Sequence, residues 1–368
     1  MDQRTDLSNE ERDILHDVGF EDLSERAATA VLVDGTVRLA QSSDPDVEVM
    51  SLAEALRTYD FVQDLMFGLV EPDANEDIAL IAEQRNAPLG HFVWVKPGAQ
   101  VTLPVQTFTL LETPQGRQFT HDIMLIDEGA SVDMISGSAV PSSVHKGRHV
   151  SIGECYMRKD ASCNAVTIEH WGEGMDIVSY GYAQMDEGAR SQSTAIKMAP
   201  VANDLSRSKV TMGSNTNAVS QAIIFAAAGT ERVIETETHL NGPGAKSEDL
   251  ARMVSAGGTI INNAHLIGNM AGTNGFLGCD GLKLTNDGAI RAVPALEAKA
   301  EGAMLSHEAS VGMIDSDKLN YLMAAGIEED AARDLIVQGF LSLENTAIPA
   351  GLRRRVVEMI AQAKSGGM

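Results

Sequence analysis

The chain has 368 residues, 44% hydrophobic and 22% charged, and 52 acidic against 28 basic residues leave a net charge of −24. That composition is ordinary for a globular protein of two or three domains or one elongated domain, so wholesale disorder is excluded. Such acidity repels phosphate backbones and argues against a nucleic-acid partner.

The opening Met1-Asp2-Gln3-Arg4-Thr5-Asp6 is too polar for a signal peptide. The longest apolar run, Ala222 to Ala228, falls far short of the roughly 20 residues that cross a bilayer. Cysteine occurs three times, at Cys155, Cys163 and Cys279. An odd, sparse count argues against a disulfide framework and for a reducing compartment. Three thiols also cannot supply four ligands to one zinc or cluster within one chain. A cytoplasmic protein without a membrane partner is expected.

Residues 1–77 read as mostly helical. Ser8-Asn9-Glu10-Glu11 is a capping box ahead of Ile14, Leu15 and Val18. Ser51-Leu52-Ala53-Glu54 is another, leading into Leu56, Tyr59, Phe61, Val62, Leu65 and Met66. Between them, Ala30 to Val37 reads as a hairpin turning at Asp34-Gly35.

Residues 78–295 change texture. Short β-branched runs such as Val101 to Phe108, Asn164 to Glu169 and Val178 to Tyr182 are separated by Gly, Asp and Asn. A weak repeat runs through them: Gly98-Ala99, Gly129-Ala130, Asp160-Ala161, Gly188-Ala189. The alanines are 31, 31 and 28 residues apart. A turn recurring at near-constant spacing fits a stacked β-solenoid, whose coils must turn at the same corner. A β-sandwich with evenly spaced hairpins fits as well. The scarcity of aromatic residues, 16 in all, suits closely stacked strands but also Ala-rich helices.

Residues 296–368 return to helix. Asp315-Ser316-Asp317 caps a segment with Leu319, Leu322 and Met323 that stops at Gly326. Glu328-Glu329-Asp330 places acid at the start of the next helix. A last amphipathic stripe (Leu352, Val356, Met359, Ile360, Ala363) spans about 349–364.

Little chemistry is signalled by motif. His239 to Ser247 has a superficial likeness to a phosphate loop, but Leu240 and Ala245 stand where the pattern needs glycine. No bound nucleotide and no ATPase activity are therefore expected. There is no dinucleotide fingerprint, no Cys-x-x-Cys, no His-Glu-x-x-His and no Gly-x-Ser-x-Gly. Cys279 stands in Phe276-Leu277-Gly278-Cys279-Asp280-Gly281, 28 residues before His307-Glu308. Thiolate, imidazole and carboxylate form a mixed ligand set that iron accepts. Taken alone, Cys279 reads more readily as a small buried hydrophobe and His307-Glu308 as a loop pair.

The surrounding text is more specific. Gly278-Cys279-Asp280-Gly281-Leu282, Val293-Pro294-Ala295-Leu296-Glu297 and Ser306-His307-Glu308-Ala309-Ser310-Val311-Gly312 lead into Ile314 to Leu322, Ala325-Gly326-Ile327 and Glu328 to Phe340. Over 278–340 the chain resembles the C-terminal core of the SufB/SufD family of iron–sulfur cluster assembly proteins. The resemblance implies a right-handed parallel β-helix flanked by N-terminal and C-terminal helical regions. It implies a scaffold holding a transient iron–sulfur cluster, a SufC-type ABC ATPase partner, a sulfur donor and apo-protein recipients. In such proteins a SufB-like subunit supplies a cysteine and a glutamate, matched by Cys279 and Glu308, and a SufD-like subunit a histidine, matched by His307. This chain holds all three, which suggests a homodimer whose protomers share the set.

His170-Trp171 falls where the family has a polar residue before a tryptophan in its sulfur path, and Cys155 and Cys163, on either side of the Lys159-Asp160 turn, are candidate relay thiols, with structural roles as the plainer reading. Residues 1–154 lack cysteine, which puts a separate N-terminal cluster in doubt. Tyr321, Leu322, Leu335, Ile336 and Phe340 are the candidates for ATPase contact, or for packing against the end of the β-helix. Two other functions stay open: a SufD-like structural partner that regulates the ATPase without holding metal, and a β-solenoid enzyme on polysaccharide, which would need paired carboxylates on a strand face.

Overall fold

The computed structural model describes residues 7–341. Its centre is a parallel β-solenoid of eight coils, each giving one strand to each of two facing sheets. The first coil holds His91–Val95 and Val105–Leu110; the last holds Ala289–Ala298 and Met304–Met313. Position 295, where the β-rich text was expected to end, falls inside that last coil.

One coil accounts for one period. Cys163 pairs with Val132, 31 residues earlier, and with Ser191, 28 residues later. Each coil turns at a residue with positive φ: Gly98, Gly129, Asp160, Gly188, Asn215, Gly244, Gly272 and Gly302, all between 56° and 80°. Glycine takes that conformation without strain, and Asn and Asp tolerate it. The next residue is small, and from Ala99 to Thr273 it is buried. Corner stacks on corner through the backbone: Gly98 N–H donates to Glu128 O at 2.8 Å and Gly129 N–H to Lys159 O at 2.9 Å. His239–Ser247 is one of these corners. A strand, Lys246–Ala256, follows it, so it lacks the helix N-terminus that a phosphate loop requires.

Strand alternation gives each sheet an inward and an outward face. Val105, Met134 and Cys163 of one sheet meet Val95, Ile126 and Met157 of the other in the core. The N-terminal region covers outward faces. The hairpin forms as expected, Ala28–Val33 antiparallel to Thr36–Ser42, and lays its first strand parallel on Val105–Leu110. Helix α1 (Asn9–His16) carries the reciprocal cap between Ser8 and Glu11. The second predicted helical stretch breaks into α2 (Leu52–Thr58) and α3 (Val62–Leu65), with Tyr59 extended between them. The break lets both short helices lie on the sheet over Phe92, Ile123 and Leu125. It also brings the Tyr59 and Phe61 rings to 5.4 and 5.1 Å from Trp94. Helix α4 (Glu76–Ala82) buries Ile78 and Ile81 against Val150 and Ile152.

Two helices follow the last coil, α5 (Ser316–Ala324) and α6 (Glu329–Phe340). Both start where the acidic caps predict. The amphipathic stripe at 349–364 lies outside the described residues. Helix α6 packs on the outward face of the sheet that ends in Met304–Met313. Val337 and Leu341 meet Val254 and Leu282 there, and Arg252 Nη1 donates to Phe340 O at 3.3 Å. The same apolar stripe continues through Phe225, Ile196, Ile168 and Phe108 to Leu15 of α1.

Candidate functional site

The last two coils hold the Cys279 region. Cys279 lies on the strand Asn274–Lys283, beside the edge strand Met304–Met313. Leu277 pairs with His307, Gly278 with Glu308 and Cys279 with Ala309. Alternation therefore places Cys279 and His307 on the inward face. Glu308 points outward, on the side where Ser310 Oγ donates to Asp280 Oδ1 at 2.7 Å. Of the three expected ligands, one chain brings two to the same face and turns the third away. Among the described residues, no three His, Cys, Asp or Glu side chains are placed to hold a metal ion.

Their environments differ. Cys279 is 2% exposed, while His307 and Glu308 are open to solvent. Asn262 Nδ2–H donates to Cys279 Sγ at 3.4 Å from the facing sheet. Burial pushes the Cys279 thiol up, the Asn262 amide opposes this, and Asp249 and Asp280 add to it. At the open end of the solenoid the edge strand exposes Met304, Val311 and Met313, the first at 63%.

Nearer the N-terminus the space between the sheets is a cavity of about 570 Å³. Its walls are small and hydroxylic, with Thr107, Ser136 and Thr167 facing Ser151, Ser179 and Ser206. Cys155 and Trp171 line it. Cys163 faces the same core, on the next strand round the Asp160 corner. Burial raises the Cys155 thiol to about 12 and the Cys163 thiol well above its ordinary value. Trp171 is buried with its Nε1–H unpartnered. His170 instead points out of the core, half-exposed, with Nδ1 3.9 Å from Asp17 at the C-terminal end of α1. The four proposed path residues are thus split, three inward and one outward.

Buried charge crosses this core. Lys197 Nζ lies 2.7 Å from Glu169 Oε1 and 3.3 Å from Asp204 Oδ2, and Arg232 also binds Asp204. His149 Nδ1 is 2.8 Å from Gln118 Oε1 and its ring is 5.0 Å from Trp171. Burial, with Lys197 nearby and Asp122 opposing, lowers His149 to about 4. The folded protein therefore keeps this imidazole neutral where the unfolded chain protonates it. That contribution is full above the ordinary histidine value and is lost as pH falls toward 4. About 2 kcal/mol should go by pH 5. Denaturant unfolding of wild type and His149→Gln at pH 8 and 5 checks this: the variant's pH dependence should be shallower, and equal slopes would refute the assignment.

The C-terminal candidates divide as well. Tyr321 is 76% exposed and Leu335 is exposed, whereas Leu322, Ile336 and Phe340 are half-buried. Ile336 and Phe340 pack on the outward stripe of the sheet, not over the end of the solenoid. The open coil end therefore stays uncovered by them.

Sequence reading missed Asn262, Asp249 and the Lys197, Asp204 and Arg232 network. Asn262 adjoins Asn263, so composition could not tell which of the two points inward. Strand register is the signal that separates them.

Residues 109–340 match the family model described as SUF system FeS cluster assembly, SufBD core domain. A protein of Archaeoglobus fulgidus named "Iron-sulfur cluster assembly SufBD family protein" is 30% identical over 353 residues, 95% of each chain. One of the same name from Methanothermobacter thermautotrophicus is 29% identical over 346 residues, 93% of this chain and 84% of that one. One from Pyrococcus horikoshii is 25% identical over 370 residues, 98% and 82%. In the described residues no helix is long and apolar enough to cross a membrane.

Proposed function

The chain belongs to the SufBD family of iron–sulfur cluster assembly proteins, and from that premise we propose that it is the scaffold subunit on which a nascent cluster is held. It takes part in cluster assembly; its own part is to hold iron and sulfide rather than to catalyse. The open last coil carries this reading. There His307, on the edge strand that pairs with no further strand among the described residues, shares the inward face with Cys279 of the coil before it. An unpaired edge invites another strand, and a second copy would offer the same edge. Two-fold pairing would bring two Cys279 thiolates and two His307 imidazoles toward one site. Glu308 would reach a shared cluster only past the strand edge. The cluster is cargo, and two thiolates with exchangeable nitrogen and oxygen donors suit one that must leave.

Sulfur would come from a donor protein, with Cys155, Cys163 and Trp171 along the core and His170 outside it. An ABC-type ATPase of the SufC kind would bind the C-terminal helices, and apo-proteins would receive the product. Tyr321, exposed on α5, is the better contact than half-buried Phe340. Tyr321→Ala should weaken ATPase co-purification several-fold while melting unchanged. Full co-purification would move the contact elsewhere.

Anaerobic reconstitution with iron and sulfide, followed by sedimentation and iron counting, tests the whole reading. The expected product is a dimer with about one cluster. A monomer at micromolar concentration that still binds a full cluster would overturn the shared site. A protein that takes up no cluster alone or with the ATPase favours the SufD-like structural role.

A further inference from the structure

The first coil carries polar atoms that the cluster site does not use. His91 stands at its start, on the inward face with Val93 and Val95, and is 4% exposed. It meets one carboxylate oxygen twice. Its backbone N–H donates to Asp122 Oδ1 at 2.7 Å, and its ring Nδ1 lies 3.1 Å from the same oxygen. Gly90 permits this approach, since a Cβ there would stand 1.9 Å from His121 O. His121 itself alternates to the outward face, where its Nε2 lies 2.7 Å from Glu154 Oε2.

Burial would push the Asp122 carboxyl up, but the His91 ring and backbone N–H outweigh it and hold the group below its ordinary value. An ionised carboxylate only accepts, so Nδ1 carries the proton and Nε2 is left as the acceptor. That Nε2 is buried without a partner. So is the hydroxyl of Thr120, two residues before Asp122 on the same strand face. His91 and Asp122 both line the cavity of about 570 Å³. An imidazole oriented by a carboxylate, with its second nitrogen facing a cavity, is a site for a proton donor.

The walls narrow the choice of donor. Their hydroxyls carry no charge, and the buried ammonium among them, Lys197, is held between Glu169 and Asp204. An anion entering such a space gives up its hydration without gaining a counter-charge, whereas a small neutral acid enters at less cost. The thiols are unsuited to the chemistry. Burial raises Cys155 to about 12 and Cys163 well above its ordinary value, and a neutral thiol is a poor nucleophile.

We propose that His91, positioned by Asp122, binds hydrogen sulfide inside the solenoid and ionises it at Nε2. The choice of sulfide rests on the cluster reading above, in which inorganic sulfide is cargo. The S–H proton passes to Nε2 and the bonding electron pair stays on sulfur. Hydrosulfide and imidazolium result, with no electron transferred and no co-reactant. The new charge sits on a ring whose other nitrogen already faces the Asp122 carboxylate, which stabilises it. Sulfide is thereby held beside its counter-charge, and no cysteine has to carry it.

The test uses the full chain without iron, its nine histidines labelled with heavy nitrogen, titrated anaerobically with sodium sulfide at fixed pH. The His91 ring signal is assigned by its loss in His91→Gln or, should that variant misfold, by its shift in Asp122→Asn. It should move from the neutral pattern to the imidazolium pattern and saturate. Sodium chloride at equal concentration should leave it in place. Asp122→Asn keeps the size but frees the tautomer, and should weaken sulfide binding roughly tenfold. A His91 ring that stays neutral throughout the titration would overturn the proposal. Undiminished binding in an Asp122→Asn protein that melts like the parent would do the same. Sulfide at His91 with no cluster on reconstitution defeats the cluster reading alone; a cluster formed while His91 stays neutral defeats this inference alone.

Discussion

Cys279→Ser should abolish cluster retention, with iron per chain falling at least tenfold to background while the fold survives. Serine matches the thiol in size, and the sleeve around Cys279 needs only a small side chain. What it removes is the soft donor: a serine hydroxyl does not ionise in the accessible range and suits iron–sulfur clusters poorly. Visible absorption, EPR and iron counting after anaerobic reconstitution give the readout. Cys155→Ser and Cys163→Ser should keep the cluster, because those thiols lie coils away from the open end. Glu308→Gln should lose less than Cys279→Ser, since Glu308 points outward. A cluster retained in Cys279→Ser but lost in Cys155→Ser would move the site into the cavity.

Arg232→Leu should cost roughly 3–5 kcal/mol of stability, the range for breaking a buried ion pair on one side. Arg232 is 1% exposed and Asp204 is 2% exposed. The guanidinium also donates from Nε to Phe225 O at 2.9 Å, so its loss strands a carbonyl as well as a carboxylate. Asp204 would keep Lys197, but Glu169 already claims that ammonium. Burial alone would push the Asp204 carboxyl up; Lys197 and Arg232 outweigh it and hold the group below its ordinary value. Its contribution is therefore present at neutral pH and lost as pH falls through the acid range. Urea unfolding checks the cost. Arg232→Leu/Asp204→Leu should recover much of it, because no charge is then left unpaired. A loss under about 1 kcal/mol in the single variant would mean that water reaches Asp204.

The corners explain what could be read from the sequence. Four were visible because Gly-Ala or Asp-Ala recurs at them. Asn215-Thr216 and Gly272-Thr273 hid because Asn serves for Gly and Thr for Ala at the same backbone geometry. Spacing alone could not choose solenoid over sandwich, since parallel and antiparallel coils leave similar turn intervals. The resemblance over 278–340 made that choice. A shared ligand set of His307 and Glu308 with Cys279 is easiest in a loop, where two neighbours can converge. In a strand they cannot, and the register separates them. The buried network was invisible for a different reason. Lys197, Asp204 and Arg232 come from three strands, and only the coil-to-coil register brings them together.

A stack whose coils touch only their neighbours can fray from an end, one coil at a time. The outward stripe from Leu15 through Phe108, Ile196 and Phe225 to Val337 changes that. It fastens a helix from each end of the chain along the length of the stack. Opening a terminal coil then strips packing that the interior coils share. The array is expected to melt in one cooperative step rather than unzip, with the least-protected strand amides among the described residues on the edge strand Met304–Met313.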